Sequence, residues 1–352
     1  MKKTALVVCP GRGTYNKPEL GSIYANIASS SPKIKEDLKS TLARIDAERA
    51  ALGLATVTEL DQAKGFKSSL HQKAEHAAAL IYAAGYLDFL SIDREQFEVV
   101  AITGNSMGWY TAMACAEAWS ISTATRLVTS MAQLTAGGAG AQFIYPTVDD
   151  QWRPDAQREA AVEGQLAAYP NTLMRSINYG GYAVLAGTEE ACCAAVRDLP
   201  KVDERFPMVL PGHAAFHTSL MAEAAQAAQE TWPIAAFQMP QTPLIDGRGY
   251  QWLTPSVDAR ALQQYTLGHQ VTETYDFSKA IQVAVKEFAP DHIILLGPGS
   301  GLGGAVAQAL IAIGWQGITD KTSFVQGQTE AMPYVLSMGL PEQRALVTAA
   351  QT

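Results

Sequence analysis

Cysteine is scarce: four residues in 352 (Cys9, Cys115, Cys192 and Cys193), one adjacent pair among them and no C-x-x-C spacing. That argues against a zinc knuckle or a dithiol redox centre and points to a reducing compartment, the cytoplasm. Positive charge is also in short supply. Lys and Arg total 26 against 34 Asp and Glu, a formal charge of -8, so binding to a nucleic-acid backbone through clustered cations is not expected. No uninterrupted apolar run is long enough for a membrane helix, and the one in "MKKTALVVCPGRG" stops at Pro10, short of a signal-peptide core. Histidines number only six, at 71, 76, 213, 217, 269 and 292. What is plentiful is apolar side chain, 48% of the chain, enough for a large core in one domain or a domain carrying an insert.

"TALVVCPGRG" reads as a buried strand entering a glycine loop, residues 33–50 as a charged helix, "HQKAEHAAALIYAAGYLDFL" as a buried helix and "FEVVAITG" as a second strand. Strands alternating with helices indicate an α/β fold with a parallel sheet. From about residue 140 the order becomes strand ("AQFIYPTV"), helix ("DAQREAAVEGQLAAY"), strand ("LMRSINY"), strand ("YAVLAGT"), helix ("EEACCAAVRDL") and strand ("ERFPMVL"). This β-α-β-β-α-β succession is the ferredoxin-like pattern. The expected organisation is a large α/β subdomain of residues 1–138 and 208–352, with a ferredoxin-like subdomain of residues 139–207 inserted. After the insert come a long helix from about Thr218, a short strand at "PLIDG", a helix near 276–288 and a strand, glycine loop and helix in "HIILLGPGSGLGGAVAQALIAIG". The last 25 residues read as a peripheral tail.

"VAITGNSMGWYTAMACA" holds a G-x-S-x-G turn between strand and helix, where a serine hydroxyl is presented on a strained elbow. Ser106 is thus a candidate nucleophile, with the N–H of Met107 free for an oxyanion. His213 and His217, in "PGHAAFHTSLM", are the candidate bases. Their spacing of four would suit zinc on a helix, but the glutamate of H-E-x-x-H and a third ligand are missing, so no metal is expected.

Together with these motifs, "VCPGRGTY", "GNSMGWY", "AAFHTSLM" and "LLGPGSGL" resemble, in order and spacing, the FPGQGSQ, GHSLGEY, HAFHSPLM and EVGPGKVL segments of the malonyl-CoA:acyl-carrier-protein transacylase family. "SINYGGYAVLAG" is similar to that family's ANYNSPGQVVISG. The resemblance implies an α/β-hydrolase-like large subdomain with a ferredoxin-like insert. It also implies Ser106 as nucleophile, His217 as base held by backbone carbonyls, and an oxyanion hole from the N–H groups of Met107 and Arg12. Gln72, Asn178 and Phe216 fall on positions that face the substrate. No bound cofactor is implied. Acyl-CoA would be the substrate, the phosphopantetheine of an acyl carrier protein the acceptor, and that carrier the protein partner, with neither nucleic acid nor membrane involved.

Departures from the family pattern bear on the acyl group. Where the malonyl-specific members carry a carboxylate-binding arginine, in "RLVEMRG", this chain has "RLVTSMA" and hence Met131. An apolar pocket for an uncharged acyl group is the expectation, because burying a carboxylate needs a guanidinium fork. Asn105, Trp109, Ala214, Tyr182 and Leu295 also differ from the family's residues. Arg12 stands where the family has glutamine, and its side chain is a candidate for a displaced carboxylate partner. Three rival readings stand beside acyl transfer: an acyl-thioester hydrolase with the same dyad, a non-catalytic carrier-binding module, and a dinucleotide site at Gly299, Gly301 and Gly304 with Asp320 downstream.

Overall fold

In the computed structural model, which describes residues 1–349, strand β1 (Lys3–Cys9) is fully buried from Ala5 onward. Continuous apolar runs of this kind suit parallel strands covered on both faces. Helix α1 (Pro32–Ala51) and the almost wholly buried α2 (Ala74–Ser91) lead to β2 (Phe97–Gly104), which runs parallel to β1 with Cys9 opposite Gly104. That register brings the loop after β1 beside the turn after β2, and the Asn105 N–H donates to the Cys9 carbonyl (3.0 Å). Helix α3 (Gly108–Cys115) follows the turn with all eight residues buried, then α4 (Ile121–Ala136), capped by the Ser120 hydroxyl.

The second layer begins with β3 (Ala141–Pro146), α5 (Ala156–Ala168), β4 (Leu173–Tyr179), β5 (Tyr182–Gly187), α6 (Glu189–Asp198) and β6 (Met208–Val209). Asp155 and Thr188 cap the two helices. A 3-10 turn at Ser219–Met221 precedes α7 (Ala222–Thr231), and the hairpin β7 (Leu244–Ile245) and β8 (Gln251–Trp252) follows. A π-helix at Tyr265–His269 comes before β9 (Tyr275–Asp276), α8 (Phe277–Phe288), β10 (His292–Leu295) and α9 (Leu302–Ile311). The chain closes with β11 (Val335–Ser337) and α10 (Pro341–Val347).

Two mixed sheets result, in a two-subdomain α/β architecture. The six-stranded sheet has the order β11-β10-β1-β2-β7-β8, and the five-stranded sheet β6-β3-β5-β4-β9. A separate apolar cluster built on Phe143, Tyr145, Leu173 and Leu185 packs the smaller sheet. β9, although far along the chain, pairs parallel to β4, with Ile177 opposite Tyr275.

Three expectations are corrected. The large sheet is not wholly parallel, because β7 and β8 form an antiparallel hairpin at its edge. The helix expected from Thr218 is a 3-10 turn followed by ten residues of α helix. The tail is not peripheral: β11 is a buried strand of the large sheet, and Arg344 of α10 pairs with the buried Asp88 carboxylate. His292, at the start of β10, is 7% exposed with Nδ1 on the Pro333 carbonyl. Among the described residues no helix is long and apolar enough to cross a membrane.

Candidate active site

Ser106 has φ +54°, in the left-handed region that a side chain enters only when its surroundings force it. The forcing comes from the two glycines. A Cβ on Gly104 would stand 2.3 Å from the carbonyl carbon of Gly108, and one on Gly108 would stand 2.3 Å from the Cys9 carbonyl oxygen. The elbow is thus wedged between β1 and the start of α3, and only glycine fits either side of the wedge.

The Ser106 Oγ–H lies 2.7 Å from His217 Nε2, and His217 Nδ1 lies 2.6 Å from the backbone carbonyl of Gln270. A carbonyl can only accept, so Nδ1 carries the proton and Nε2 presents a lone pair to the serine. His217 is 5% exposed and also has a left-handed backbone, φ +57°. Burial lowers its pKa to about 4, although the Gln270 bond acts the other way, so the ring is neutral at neutral pH. Gln270 closes a ring of hydrogen bonds, its Nε2 donating to the Ser106 carbonyl (3.1 Å) while its Oε1 accepts from the Tyr110 hydroxyl (3.2 Å). It directly follows the π-helix, a form of backbone that often marks functional sites. That π-helix is held to the elbow helix by Trp109, whose Nε1 donates to Thr266 Oγ1 (3.0 Å).

These residues line a cavity of about 320 Å³, within the range of small-molecule sites. Met131, Val128, Ala78 and Ala132 provide an apolar wall. Among the described residues its ionisable groups are Arg12, His213, His217 and two tyrosines, with no Asp or Glu lining it. The N–H groups of Arg12 and Met107 find no acceptor among the described residues. The Oδ1 of Asn105, also at the cavity, is buried without a donor.

Of the residues singled out in the sequence, Arg12, Ser106, Met107, Met131, Phe216 and His217 meet at this cavity, and Gln72 and Asn178 do not. Gln72 is exposed beyond a short helical turn. Asn178 is occupied in joining β4 to β9, donating to Asp276 (2.9 Å) and accepting from Arg175 (3.3 Å). His213 is not bonded to the serine; its Nδ1 meets Gln142 Oε1 at 2.7 Å. No cluster of three or more His, Cys, Asp or Glu side chains able to hold a metal occurs among the described residues. The glycine loop at 297–301 is closely approached at one point, where a Cβ at Gly339 would fall 1.9 Å from the Gly299 carbonyl oxygen, and the Asp320 side chain caps a helix. Gln270, Gln142 and Ser176 were not found from the sequence, where polar residues without a motif carry no signal.

No family model and no curated protein sequence matches the chain. Solved structures do. An acyl carrier protein S-malonyltransferase from Vibrio cholerae shares 21% identity over 88% of this chain and 94% of its own, with a TM-score of 0.67. An acyl-carrier-protein S-malonyltransferase from Burkholderia pseudomallei shares 19% over 98% and 99%, with a TM-score of 0.70. A malonyl-CoA:ACP transacylase from Synechocystis shares 16% over 99% and 100%, with a TM-score of 0.73. At such identities the likeness establishes a common fold over nearly the whole of both chains.

Proposed function

We propose that this protein is an acyltransferase that carries an acyl group from acyl-CoA to the phosphopantetheine thiol of an acyl carrier protein through an acyl-serine intermediate. The observation that carries the reading is the hydrogen-bonded line from Ser106 through His217 to the Gln270 carbonyl, at a cavity edged by two unpaired backbone N–H groups. The names of the fold's relatives add weight to it. In this reading residues 1–138 and 208–352 form an α/β-hydrolase-like body and residues 139–207 a ferredoxin-like insert, a division supported by the contiguous pairing of β3, β5 and β4, with β6 just past it. The cytoplasm is the proposed compartment, supported by four free cysteines.

The reaction runs in two balanced halves. His217 Nε2 takes the Ser106 proton as Oγ bonds to the thioester carbonyl carbon, and the oxyanion accepts from the N–H groups of Met107 and Arg12. The Gln270 carbonyl, already accepting from Nδ1–H, steadies the imidazolium. The C–S bond then breaks, and the departing thiolate takes the proton from Nε2. In the second half the carrier's thiol gives its proton to Nε2 and displaces Ser106, which takes that proton back. Met131 and its neighbours would enclose an uncharged acyl group, because nothing on that wall could pair a carboxylate.

Intact-protein mass spectrometry after brief exposure to malonyl-, acetyl- and medium-chain acyl-CoA tests this. A mass gain from a neutral acyl group, absent in Ser106→Ala, is expected, and Met131→Arg should move the preference toward malonyl. No adduct with release of free acid would replace the transferase with a hydrolase.

A further inference from the structure

Two side chains that line the same cavity, Arg12 and His213, have hydrogen-bonding capacity that is mostly unspent. The Arg12 guanidinium makes one long bond, Nη2 to the Gly212 carbonyl (3.4 Å), and sits 5.4 Å from the centre of the Phe216 ring. It has no carboxylate partner among the described residues, and burial lowers its pKa. A partly desolvated guanidinium with idle donors calls for an acceptor.

His213 offers the reverse. The Ser176 hydroxyl donates to the Phe216 carbonyl (2.7 Å), so its oxygen must accept from the Gln142 amide nitrogen (2.7 Å). That fixes the Gln142 orientation and leaves Oε1 to accept from His213, whose proton is therefore on Nδ1. Burial, with the Arg12 charge adding to it, lowers the His213 pKa to about 4 and keeps the ring neutral. Its Nε2 is then a lone-pair acceptor with no donor among the described residues. The cavity thus sets a donor fork beside a bare acceptor, both against Phe216.

We infer that Arg12 and His213 form a subsite for a secondary amide, the one nearest the sulfur in the pantetheine arm, with Arg12 donating to its carbonyl and His213 Nε2 accepting its N–H. The inference rests on the acyl-transfer reading, in which donor and acceptor share that arm and its amide stands a short ethylene link from the reacting thioester. A carboxylate matches Arg12 but sets negative charge against the His213 lone pair. The subsite thus selects an arm common to both half-reactions.

Three butyryl thioesters test it by kcat/KM of Ser106 acylation: N-acetylcysteamine, which has both amide groups; its N-methyl analogue, which lacks the N–H; and a butanethiol ester, which has neither. On the wild type the values should fall stepwise, about 3-fold to 10-fold for the lost N–H and about 10-fold to 100-fold for the lost carbonyl. His213→Phe should erase the first step and Arg12→Met the second. Equal values for all three thioesters on the wild type, a reading that needs no variant to fold, overturn the subsite, as do steps that persist unchanged in folded variants. A wild type that gives no Ser106 adduct with any of them overturns the acyl-serine reading itself, a result distinct from equal rates.

Discussion

Both members of the dyad hold left-handed backbones, and the left-handed state of each brings its side chain to the other. Ser106 owes this to Gly104 and Gly108, His217 to a carbonyl neighbour tied down by Ser176 and to its own bond to Gln270. The buried imidazole has a clear acid signature. Its pKa is depressed to about 4, so it remains a neutral base well below the ordinary value of 6.5, and acylation should hold its plateau at pH 5 and fail as pH approaches 4. Stability moves in the same direction. Below pH 6.5 the unfolded chain takes up a proton that the folded ring refuses until about pH 4, so stability is lost as pH falls through that window, by roughly 3 kcal/mol for His217 alone. Urea titrations at pH 7.5 and 4.5 measure the loss, and stability that rose on acidification would contradict it. At this scale Ser106 and His217 were legible because motifs carried them. Gln270 was not, since its decisive atom is a backbone oxygen that every residue has. Gln72 and Asn178 do not line the cavity, since matching short segments preserves position along a chain and not the direction of a side chain.

Among the elements, β1, β2 and β4 could be read to within a residue or two from buried or alternating runs bounded by turns. The π-helix and the two- or three-residue strands β8, β9 and β11 could not, because so few residues show no period and long-range pairing alone defines them. The small sheet also reaches into the site. Ser176 on β4 holds the carbonyl of Phe216, one residue before His217, and receives Gln142 from β3. Ser176→Ala would leave that carbonyl and the Gln142 amide without partners in a fully buried place. A loss of about 1–3 kcal/mol in urea unfolding is expected, together with slower single-turnover acylation as His217 is released. Unchanged stability would show that the two groups find other partners.

For the molecule as a whole, the closing segment acts as a clasp. Arg344 reaches the Asp88 carboxylate on α2, which also accepts the Gly297 N–H from the loop after β10 (2.8 Å). Burial pushes the Asp88 pKa up while Arg344 pulls it down. Removing one partner of a buried pair strands the other, so Arg344→Met should lower the unfolding free energy by about 3–5 kcal/mol in denaturant titration. A change below about 1 kcal/mol would mean that water replaces the arginine. The sequence could not show this clasp, because its partners lie 256 residues apart and neither belongs to a motif.

The pairing of β9 with β4 has a bearing on recombination. Cut at residues 139 and 207, the inserted unit looks like a portable cassette, yet one edge of its sheet is covered by Tyr275–Asp276 from the other part of the chain, and β6 lies just past the cut. A chimera that exchanged only that stretch would inherit a foreign edge for a native cover, with unmatched N–H and C=O groups open to any passing strand. Crossovers that carry residues 208–209 and 275–276 along with the insert keep the seam intact, and with it the joint at which the two sheets share one site.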